Sequence, residues 1–467
     1  MNDAPAFQTN GDIGREREGA AGDGSRPKVM LVCHNHPHVR PGGAEGYAFN
    51  LYQALREAGE FEPVFLGRDG APNPTTVVPP LHAYTPVTSL NRDPNQYLIY
   101  TDLSKLDYLY LRSSDKETIT KDYADFLQAH QPDVVHFQHN YLIGYDFLRV
   151  TKNTLPDVPI VYMLHEYLAI CNHDGQMIRT GSHQLCREQS PRRCHECFPW
   201  ISPEKFFRRT RFIKSHLALV DVFIAPSEYV RDRYVDWGIP PEKVEVLPYA
   251  MPPMERPEEP ARPGPRNRFA FFGQFTPYKG TDVLLKAMAS LGEDFDGHLW
   301  IHGANLETQS PQFQEEFREL LEATARTVTF AGPYDHDEEL EGLMMSTDWV
   351  IVPSIWWETG PLVVLEAFQH GRPVICSDIG GMSEKVDDGV SGIHFDTGDP
   401  ESLAEAIRNA AETPGLWEQL QAGIPPVYDI RDHTEVVHEI YNKVLGHQAR
   451  PPGDDVAALG RTEVHSA

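Results

Sequence analysis

The chain has 467 residues, more than one hydrophobic core usually serves and enough for two domains. Hydrophobic residues make up 40% of it and aromatic residues 10%, values typical of a soluble globular protein. Asp and Glu number 68 against 41 Lys and Arg, which gives a formal net charge of −27. Because nucleic-acid binding depends on neutralising phosphate charge, this composition argues against a nucleic-acid partner.

The two ends of the sequence are polar, and no apolar run approaches the roughly 18 residues that span a bilayer. Residues 1–27 lack the charged start and apolar core of a signal peptide. We therefore expect a disordered leader over 1–27, a disordered tail over 447–467 and a cytoplasmic location.

Residues 28–250 alternate short apolar runs with segments of helical length. A helix is expected over 44–58, after a Gly-Gly turn. Continuous apolar runs are typical of parallel strands that are covered on both faces. The pattern predicts a Rossmann-like domain, with strands over 28–33, 63–66, 133–137, 159–164 and 222–225.

A proline-dense stretch predicts a linker over 251–268, after which the same rhythm restarts. We expect a second Rossmann-like domain over 269–425 and a helical segment over 426–446. Two doubly wound α/β domains would then face a cleft at the carboxyl ends of their strands, where such folds bind ligands. Strands are expected over 269–272, 299–302, 328–330, 349–352 and 373–376.

The sharpest motif is PSIWWETGPLVVLEA at 353–367. It leads from a strand into a helix expected to begin near Pro361 and to end near His370. A helix N-terminus offers free N–H groups and partial positive charge to a diphosphate. Glu358 precedes that tip and Glu366 lies inside the helix, so the two carboxylates could bind a sugar and a ribose. The alternative is a helix with two solvated glutamates.

This two-glutamate motif resembles the signature of retaining family 4 glycosyltransferases of the GT-B fold. The resemblance implies a UDP- or GDP-sugar donor and no catalytic metal. It also implies that Glu358 contacts the donor sugar, Glu366 the ribose, and that the diphosphate meets backbone at Gly360, Pro361 and Leu362.

A second segment, FFGQFTPYKG at 271–280, is similar to the family's diphosphate loop, in which an arginine and a lysine grip the phosphates. Lys279 matches the lysine, and Gly273 precedes the arginine position. Gln274 stands at that position and keeps a hydrogen-bond donor but loses the charge. A surface lysine in a turn is the alternative for Lys279.

In the first domain, Gly43 opens the first helix, and paired glycines allow backbone to approach a ligand closely. The resemblance places Gly43 beneath the donor phosphates; a plain turn is the alternative. His139 and His165 follow strand ends and are expected to point into the cleft, whereas His136 is expected in the core. His165 resembles a cleft histidine that bonds the donor sugar. Structural histidines remain the alternative for both cleft positions.

In a retaining reaction of this class, the leaving phosphate is expected to deprotonate the acceptor hydroxyl. The protein then supplies orientation and charge stabilisation, without a carboxylate nucleophile. We assign these catalytic roles to His139, Glu358, Lys279 and His165.

Four of the six cysteines lie in an insert at 171–197, and its last pair has C-x-x-C spacing. A reducing cytosol disfavours disulfides, so we predict a structural zinc site. An iron–sulfur cluster or unligated thiols are the alternatives. A subset of family 4 sequences is similar in carrying such an insert. The predicted zinc ligands are Cys171, Cys186, Cys194 and Cys197.

Aromatic residues lie beside basic residues at 206–214. This patch could contact the inner face of an anionic membrane that carries a lipid-linked acceptor, or it could be a solvated basic face. The leading hypothesis is a glycosyltransferase of cell-surface polysaccharide or glycoconjugate synthesis, acting on a glycan or lipid-linked acceptor. A nucleotide-sugar epimerase or hydrolase, and a non-catalytic donor-binding subunit, are the alternatives.

Overall fold

The computed structural model describes residues 26–40, 42–69, 87–90, 93–114, 118–182, 184–257 and 264–446. The expected leader 1–27, apart from its last two residues, and the expected tail 447–467 lie outside the described residues. So does the centre of the expected linker, 258–263.

The described residues form two large sheets and one small one. The strands in chain order are β1 (Lys28–Cys33), β2 (Glu62–Asp69), β3 (Val87–Ser89), β4 (Gln96–Tyr100), β5 (Leu106–Asp107), β6 (Arg112–Ser113), β7 (Val134–Phe137), β8 (Ile160–Met163), β9 (Val222–Ala225), β10 (Val244–Val246), β11 (Arg268–Phe272), β12 (His298–His302), β13 (Val328–Gly332), β14 (Trp349–Val352), β15 (Val374–Ser377) and β16 (Gly392–Phe395).

Helices connect most of these strands. The α-helices are α1 (Gly43–Ala58), α2 (Thr118–His130), α3 (Asp146–Thr154), α4 (Pro191–Cys197), α5 (Pro203–Leu217), α6 (Glu228–Trp237), α7 (Thr281–Ser290), α8 (Pro311–Ala323), α9 (His336–Ser346), α10 (Leu362–Gln369), α11 (Gly380–Ser383), α12 (Pro400–Glu412), α13 (Leu416–Ala422) and α14 (Ile430–Val444). Short 3-10 helices lie at Leu103–Lys105, Pro241–Lys243, Pro277–Lys279 and Leu306–Thr308.

The first sheet has the order β10-β9-β8-β7-β1-β2-β4-β3. Its central strand β1 pairs in parallel with β2 on one side and β7 on the other, so that Leu31 lies between Phe65 and His136. The apolar run that predicted β1 is buried on both faces, as expected for a central parallel strand. Only the edge strand β3 runs antiparallel among the described pairings of this sheet.

The second sheet has the order β13-β12-β11-β14-β15-β16, and its described pairings are all parallel. Strand β14 is buried along its whole length, including Trp349. The sequence prediction of two parallel-sheet α/β domains is confirmed.

The chain passes between the two domains twice, and the two passages lie side by side. The Met251 N–H donates to the Tyr428 carbonyl at 3.0 Å, and the Ile430 N–H donates to the Met251 carbonyl at 2.9 Å. The second passage leads into α14, which packs on α1 of the first domain. Tyr441 of α14 lies 2.7 Å from Nδ1 of His136, so this histidine belongs to the core, as the sequence predicts.

Candidate functional site

The order of the strands reverses at one place in each sheet, beside β1 and β7 in the first and beside β11 and β14 in the second. Ligands of open α/β sheets bind outside the carboxyl ends of the strands at such switch points. Here both switch points open into one cleft of about 930 Å³ between the domains. Every residue other than cysteine that the sequence analysis assigned to the site lines this cleft: Gly43, His139, His165, Gly273, Gln274, Lys279, Glu358, Gly360, Pro361, Leu362 and Glu366.

Two helix N-termini face each other across the cleft. Helix α10 follows Pro361, and α1 follows Gly42; neither preceding residue makes a side-chain capping hydrogen bond. The two tips are close to each other. A Cβ atom placed on Gly43 would lie 3.8 Å from Leu362 Cδ1. The α10 N-terminus leaves N–H donors and partial positive charge available to an anion, whereas the first turn of α1 already carries the Glu45 carboxylate. The arrangement therefore suits a phosphate group between the domains.

We call the cleft residues of the second domain, at 273–279 and 358–366, the donor wall. Within it, Glu358 is 4% exposed, and its Oε1 accepts three hydrogen bonds. The donors are Lys279 Nζ at 2.6 Å, Ser354 Oγ at 2.8 Å and Trp356 Nε1 at 2.9 Å. No described residue donates to Oε2 of Glu358, which is left for a ligand hydroxyl.

Among the described residues, the Glu366 carboxylate has one hydrogen-bond partner. His336 Nε2 lies 2.9 Å from Glu366 Oε1, and this hydrogen bond raises the pKa of His336 to about 9. Among the described residues nothing donates to Oε2 of Glu366. The second carboxylate of the motif thus also keeps an oxygen that can accept from a ligand.

Lys279 is held near Glu358 by the close approach of two loops. We call residues 273–280 the lysine loop and residues 353–361 the glutamate loop. Gly280 has φ 68°, and a Cβ there would lie 1.9 Å from the Pro353 carbonyl oxygen, so only glycine allows this contact. Gln274 is exposed in the cleft and has no hydrogen-bond partner in the described parts of the chain.

The first-domain side of the cleft carries three histidines, His34, His139 and His165, which we call the histidine wall. His165 Nδ1 lies 2.6 Å from the Tyr249 hydroxyl. Burial, followed by the neighbouring His34, lowers the pKa of His165 to about 3. Burial and the other two histidines lower the pKa of His139 well below its usual value. His139 and His165 are therefore neutral hydrogen-bonding groups at pH 7.

The sequence analysis did not assign Glu45, which joins the histidine wall through α1. Its Oε1 lies 2.9 Å from His34 Nε2 and accepts from Asn35 Nδ2 at 2.9 Å. Burial raises the pKa of Glu45, but these hydrogen bonds outweigh it and leave the pKa at about 2. His34 and Asn35 directly follow β1, so the strand-end rule that found His139 could have found them as well.

The structure gives no support to the predicted four-thiolate zinc site, which stays a prediction. All six cysteines are free, and in the described part of the chain no three metal-ligating side chains converge on one point. Burial raises the pKa of Cys171 to about 12 and also raises that of Cys194. The Cys186 thiol lies 3.3 Å from the Glu188 carbonyl.

The basic patch at 206–214 is smaller than its sequence predicts. Arg209 is buried and donates to the carbonyls of Leu168 and Ala169. Lys214 bonds the Trp237 carbonyl instead of facing solvent freely. The α5 residues of this patch that remain exposed are Phe207, Arg208 and Arg211. None of the helices in the described ranges is long and apolar enough to cross a membrane.

Two family models match the chain. The model described as Glycosyltransferase Family 4 matches residues 41–252, and the model described as Glycosyl transferases group 1 matches residues 266–413.

Curated relatives match over different lengths. The glycogen synthase of Mycobacterium tuberculosis is 24% identical over 399 residues, covering 84% of this chain and 88% of that protein. The D-inositol 3-phosphate glycosyltransferase of a Nocardioides species is 33% identical over 165 residues, covering 33% of this chain and 36% of that protein.

Solved structures share the fold. Sucrose-phosphate synthase from Thermosynechococcus elongatus has a TM-score of 0.67 at 18% identity, covering 90% of this chain and 100% of that chain. Anabaena HepE in complex with UDP and glucose has a TM-score of 0.59 at 17% identity, covering 88% of this chain and 98% of that chain.

Proposed function

The chain belongs to the group 1 and family 4 glycosyltransferases, and we propose that it transfers a hexose from a UDP- or GDP-sugar, with retention, to a glycan or lipid-linked acceptor. HepE, which shares the fold, was solved with UDP and with UDP-glucose, and this supports a nucleotide-sugar donor here. The two family models also support domain boundaries at 28–250 and 269–425.

One observation carries the proposal: two uncapped helix N-termini and Lys279 converge on a cleft in which two glutamates each keep an unbonded oxygen. A diphosphate fits the N–H groups and the lysine ammonium, since both favour negative charge. The carboxylate oxygens suit hydroxyl groups, which donate hydrogen bonds. A nucleoside diphosphate sugar carries both kinds of group.

We assign the donor sugar to Glu358, the ribose to Glu366 and the diphosphate to the tips of α10 and α1 with Lys279. During transfer the bond from the anomeric carbon to the phosphate oxygen breaks, and the acceptor oxygen bonds that carbon on the same face. The leaving phosphate takes the acceptor proton. Lys279 and the helix tips stabilise the charge that develops on the phosphate.

The histidine wall contributes hydrogen bonds rather than charge. His139 and His165 are neutral at pH 7, so either ring can donate to or accept from a sugar hydroxyl. We assign both to orientation of the reacting sugar and the acceptor hydroxyl.

The test is a panel of UDP- and GDP-sugars with and without candidate glycan acceptors. A transferase releases nucleoside diphosphate only when the acceptor is present, and the anomeric configuration of the product reports retention. Release without acceptor would favour a hydrolase. Interconversion of the donor sugar would favour an epimerase, and donor binding without turnover would favour a non-catalytic subunit.

We also propose that the exposed part of α5 brings the enzyme to the inner face of an anionic membrane in surface-glycan synthesis. Phe207 is 58% exposed beside Arg208 and Arg211, in a chain whose net charge is −27. Aromatic and basic side chains together favour an anionic lipid surface.

Co-sedimentation with phosphatidylglycerol vesicles tests the membrane contact. The Phe207→Ser variant should bind these vesicles less than wild type. The matched control is Phe330→Ser, since Phe330 is an exposed phenylalanine of the second sheet. Equal binding by both variants, or equal binding of wild type to neutral vesicles, would contradict the proposal.

A further inference from the structure

The cysteine insert, 171–197, contacts the lysine loop through His173. Its Nε2 lies 2.7 Å from the Tyr278 hydroxyl, and the two ring centroids are 5.4 Å apart. Nδ1 of His173 lies 2.9 Å from the Ile178 carbonyl oxygen, which can only accept. Nδ1 therefore carries the proton, and Nε2 accepts the hydrogen bond of the Tyr278 hydroxyl.

A second contact reaches the glutamate loop. The Arg187 guanidinium lies 5.9 Å from the centre of the Trp357 ring, which stacks on Tyr229 at 4.9 Å. Arg233 donates to the Arg187 carbonyl at 3.1 Å and so fastens this end of the insert to α6. The insert thus touches the residue that directly precedes Glu358.

The two loops are also joined to each other. The Ile355 N–H of the glutamate loop donates to the Tyr278 carbonyl of the lysine loop at 2.8 Å. Lys279 directly follows Tyr278, and Glu358 directly follows Trp357, so each is next to a residue that contacts the insert. Lys279 Nζ lies 2.6 Å from Glu358 Oε1. A shift of either loop would therefore separate the charged pair.

We propose that the cysteine insert is a positioning element that holds the lysine loop and the glutamate loop in register, with His173 and Arg187 as its positioning residues. The insert belongs to the first domain and both loops to the second. Donor binding therefore depends on the approach of the two domains. This inference rests on the proposed function for the roles of Lys279 and Glu358.

The first test is a double-mutant cycle with Tyr278→Phe and His173→Ala, read out as the affinity for UDP and for GDP. Each single variant should bind the preferred nucleotide about three- to tenfold more weakly, the usual effect of one hydrogen bond. The double variant should be no weaker than either single variant, because both remove the same contact. The KM for acceptor should stay within about twofold of wild type.

The insert supplies matched controls. His195 bonds the Ile201 carbonyl within the first domain, so His195→Ala should leave nucleotide affinity unchanged. Arg193 lies 3.4 Å from Glu188 in the insert itself. Arg187→Met should therefore weaken nucleotide binding by about two- to fivefold, the range for an exposed cation–π contact, and Arg193→Met should not.

Hydrogen exchange at the Ile355 amide tests the inference without any ligand. Exchange should be faster in His173→Ala and Tyr278→Phe than in wild type and His195→Ala. If wild type binds neither UDP nor GDP, the proposed function fails, and Ile355 exchange still decides the role of the insert. Unchanged Ile355 exchange, or multiplicative effects in the cycle, would overturn the inference.

Discussion

The two walls of the cleft are built in opposite ways. In the donor wall, Glu358 is bonded by Ser354 and Trp356, which lie four and two residues away along the chain. In the histidine wall, His165 is bonded by Tyr249, 84 residues away. The glutamate loop of the donor wall is thus a local motif, although Lys279 reaches it from 79 residues away, whereas the bond of His165 exists only once the first sheet has formed.

The walls also differ in charge. The donor wall presents Lys279, Glu358 and Glu366 to the cleft. Opposite, His139 and His165 are buried and neutral, but Glu45 beside them keeps an ionised carboxylate. The walls therefore differ in the neutral histidine pair and in the lysine, and both sides carry charge.

Removing the cation of the donor wall should have the largest effect. Lys279→Met is expected to lower kcat/KM by roughly 10²- to 10³-fold, the scale for loss of one group that stabilises developing charge. Steady-state kinetics with saturating acceptor measure it. The control is Lys286→Met, since Lys286 bonds Asp282 and Glu316 on the second domain and does not line the cleft. Equal losses in both variants would remove Lys279 from the site.

Glu366→Ala should have the second-largest effect, and it should weaken donor binding. The donor Kd is expected to rise by about 10- to 100-fold, the range for a hydrogen bond to a charged group, with kcat near wild type. Isothermal calorimetry with the preferred donor measures the change. Glu366→Gln keeps an accepting oxygen and should recover part of the affinity. Donor binding by Glu366→Ala at wild-type strength would refute the ribose assignment.

The pH dependence of stability should differ between the buried histidines of the first domain and His336 of the second. The pKa of His165 and of His136 is about 3 in the folded chain, against about 6.5 unfolded. Between about pH 3 and pH 6.5 the unfolded state binds more protons than the folded state. The stability that these neutral histidines contribute is therefore present above about pH 6.5 and is lost toward pH 3. His336 acts in the opposite direction: its contribution is present below about pH 6.5 and is lost through about pH 9.

Urea unfolding at pH 5, 7 and 9.5 measures these opposite trends. His136→Asn should reduce the loss of stability between pH 7 and pH 5. Glu366→Gln should reduce only the loss between pH 7 and pH 9.5, and this second effect should be small because His336 is 58% exposed. If the stability of His136→Asn falls between pH 7 and pH 5 as much as that of wild type, the assignment of a neutral core histidine is contradicted.

The smallest expected effect is a gain. Gln274→Arg adds the charge that the family resemblance expects at this exposed position and should tighten donor binding by about two- to fivefold, the scale of an exposed ion pair. Donor Kd at low and high salt measures it, and the gain should shrink at high salt. Weaker binding would mean that the helix tips and Lys279 already neutralise the diphosphate.

The sequence predicted the elements that carry the donor wall closely, because their signals are local. The run 349–352 became β14, and the helix expected from Pro361 to His370 became α10 (Leu362–Gln369). Strand β4 was missed because its apolar run is short and lies among irregular segments, and β3 was missed because it is a three-residue antiparallel strand at an edge. The last helix, Ile430–Val444, lies within the helical segment expected over 426–446.

The contacts of the site were harder to predict than its motifs. The bond from His336 to Glu366 and that from Tyr249 to His165 join segments with no shared pattern in the sequence. The zinc prediction meets the same difficulty and stays a prediction. Spacing brings cysteines near one another along the chain, but it does not fix whether their thiols converge on one point, and in the described residues no three metal-ligating side chains do so.

The paired passages between the domains have a mechanical consequence. Since Met251 is hydrogen-bonded to Tyr428 and Ile430, the two connecting strands of chain behave as one ribbon. Rotation of one domain against the other must therefore twist both passages together, so two joined passages restrict that rotation more than a single passage would. The final helix also fastens the domain that begins the chain, and a truncation after residue 425 would therefore loosen the opposite end of the molecule.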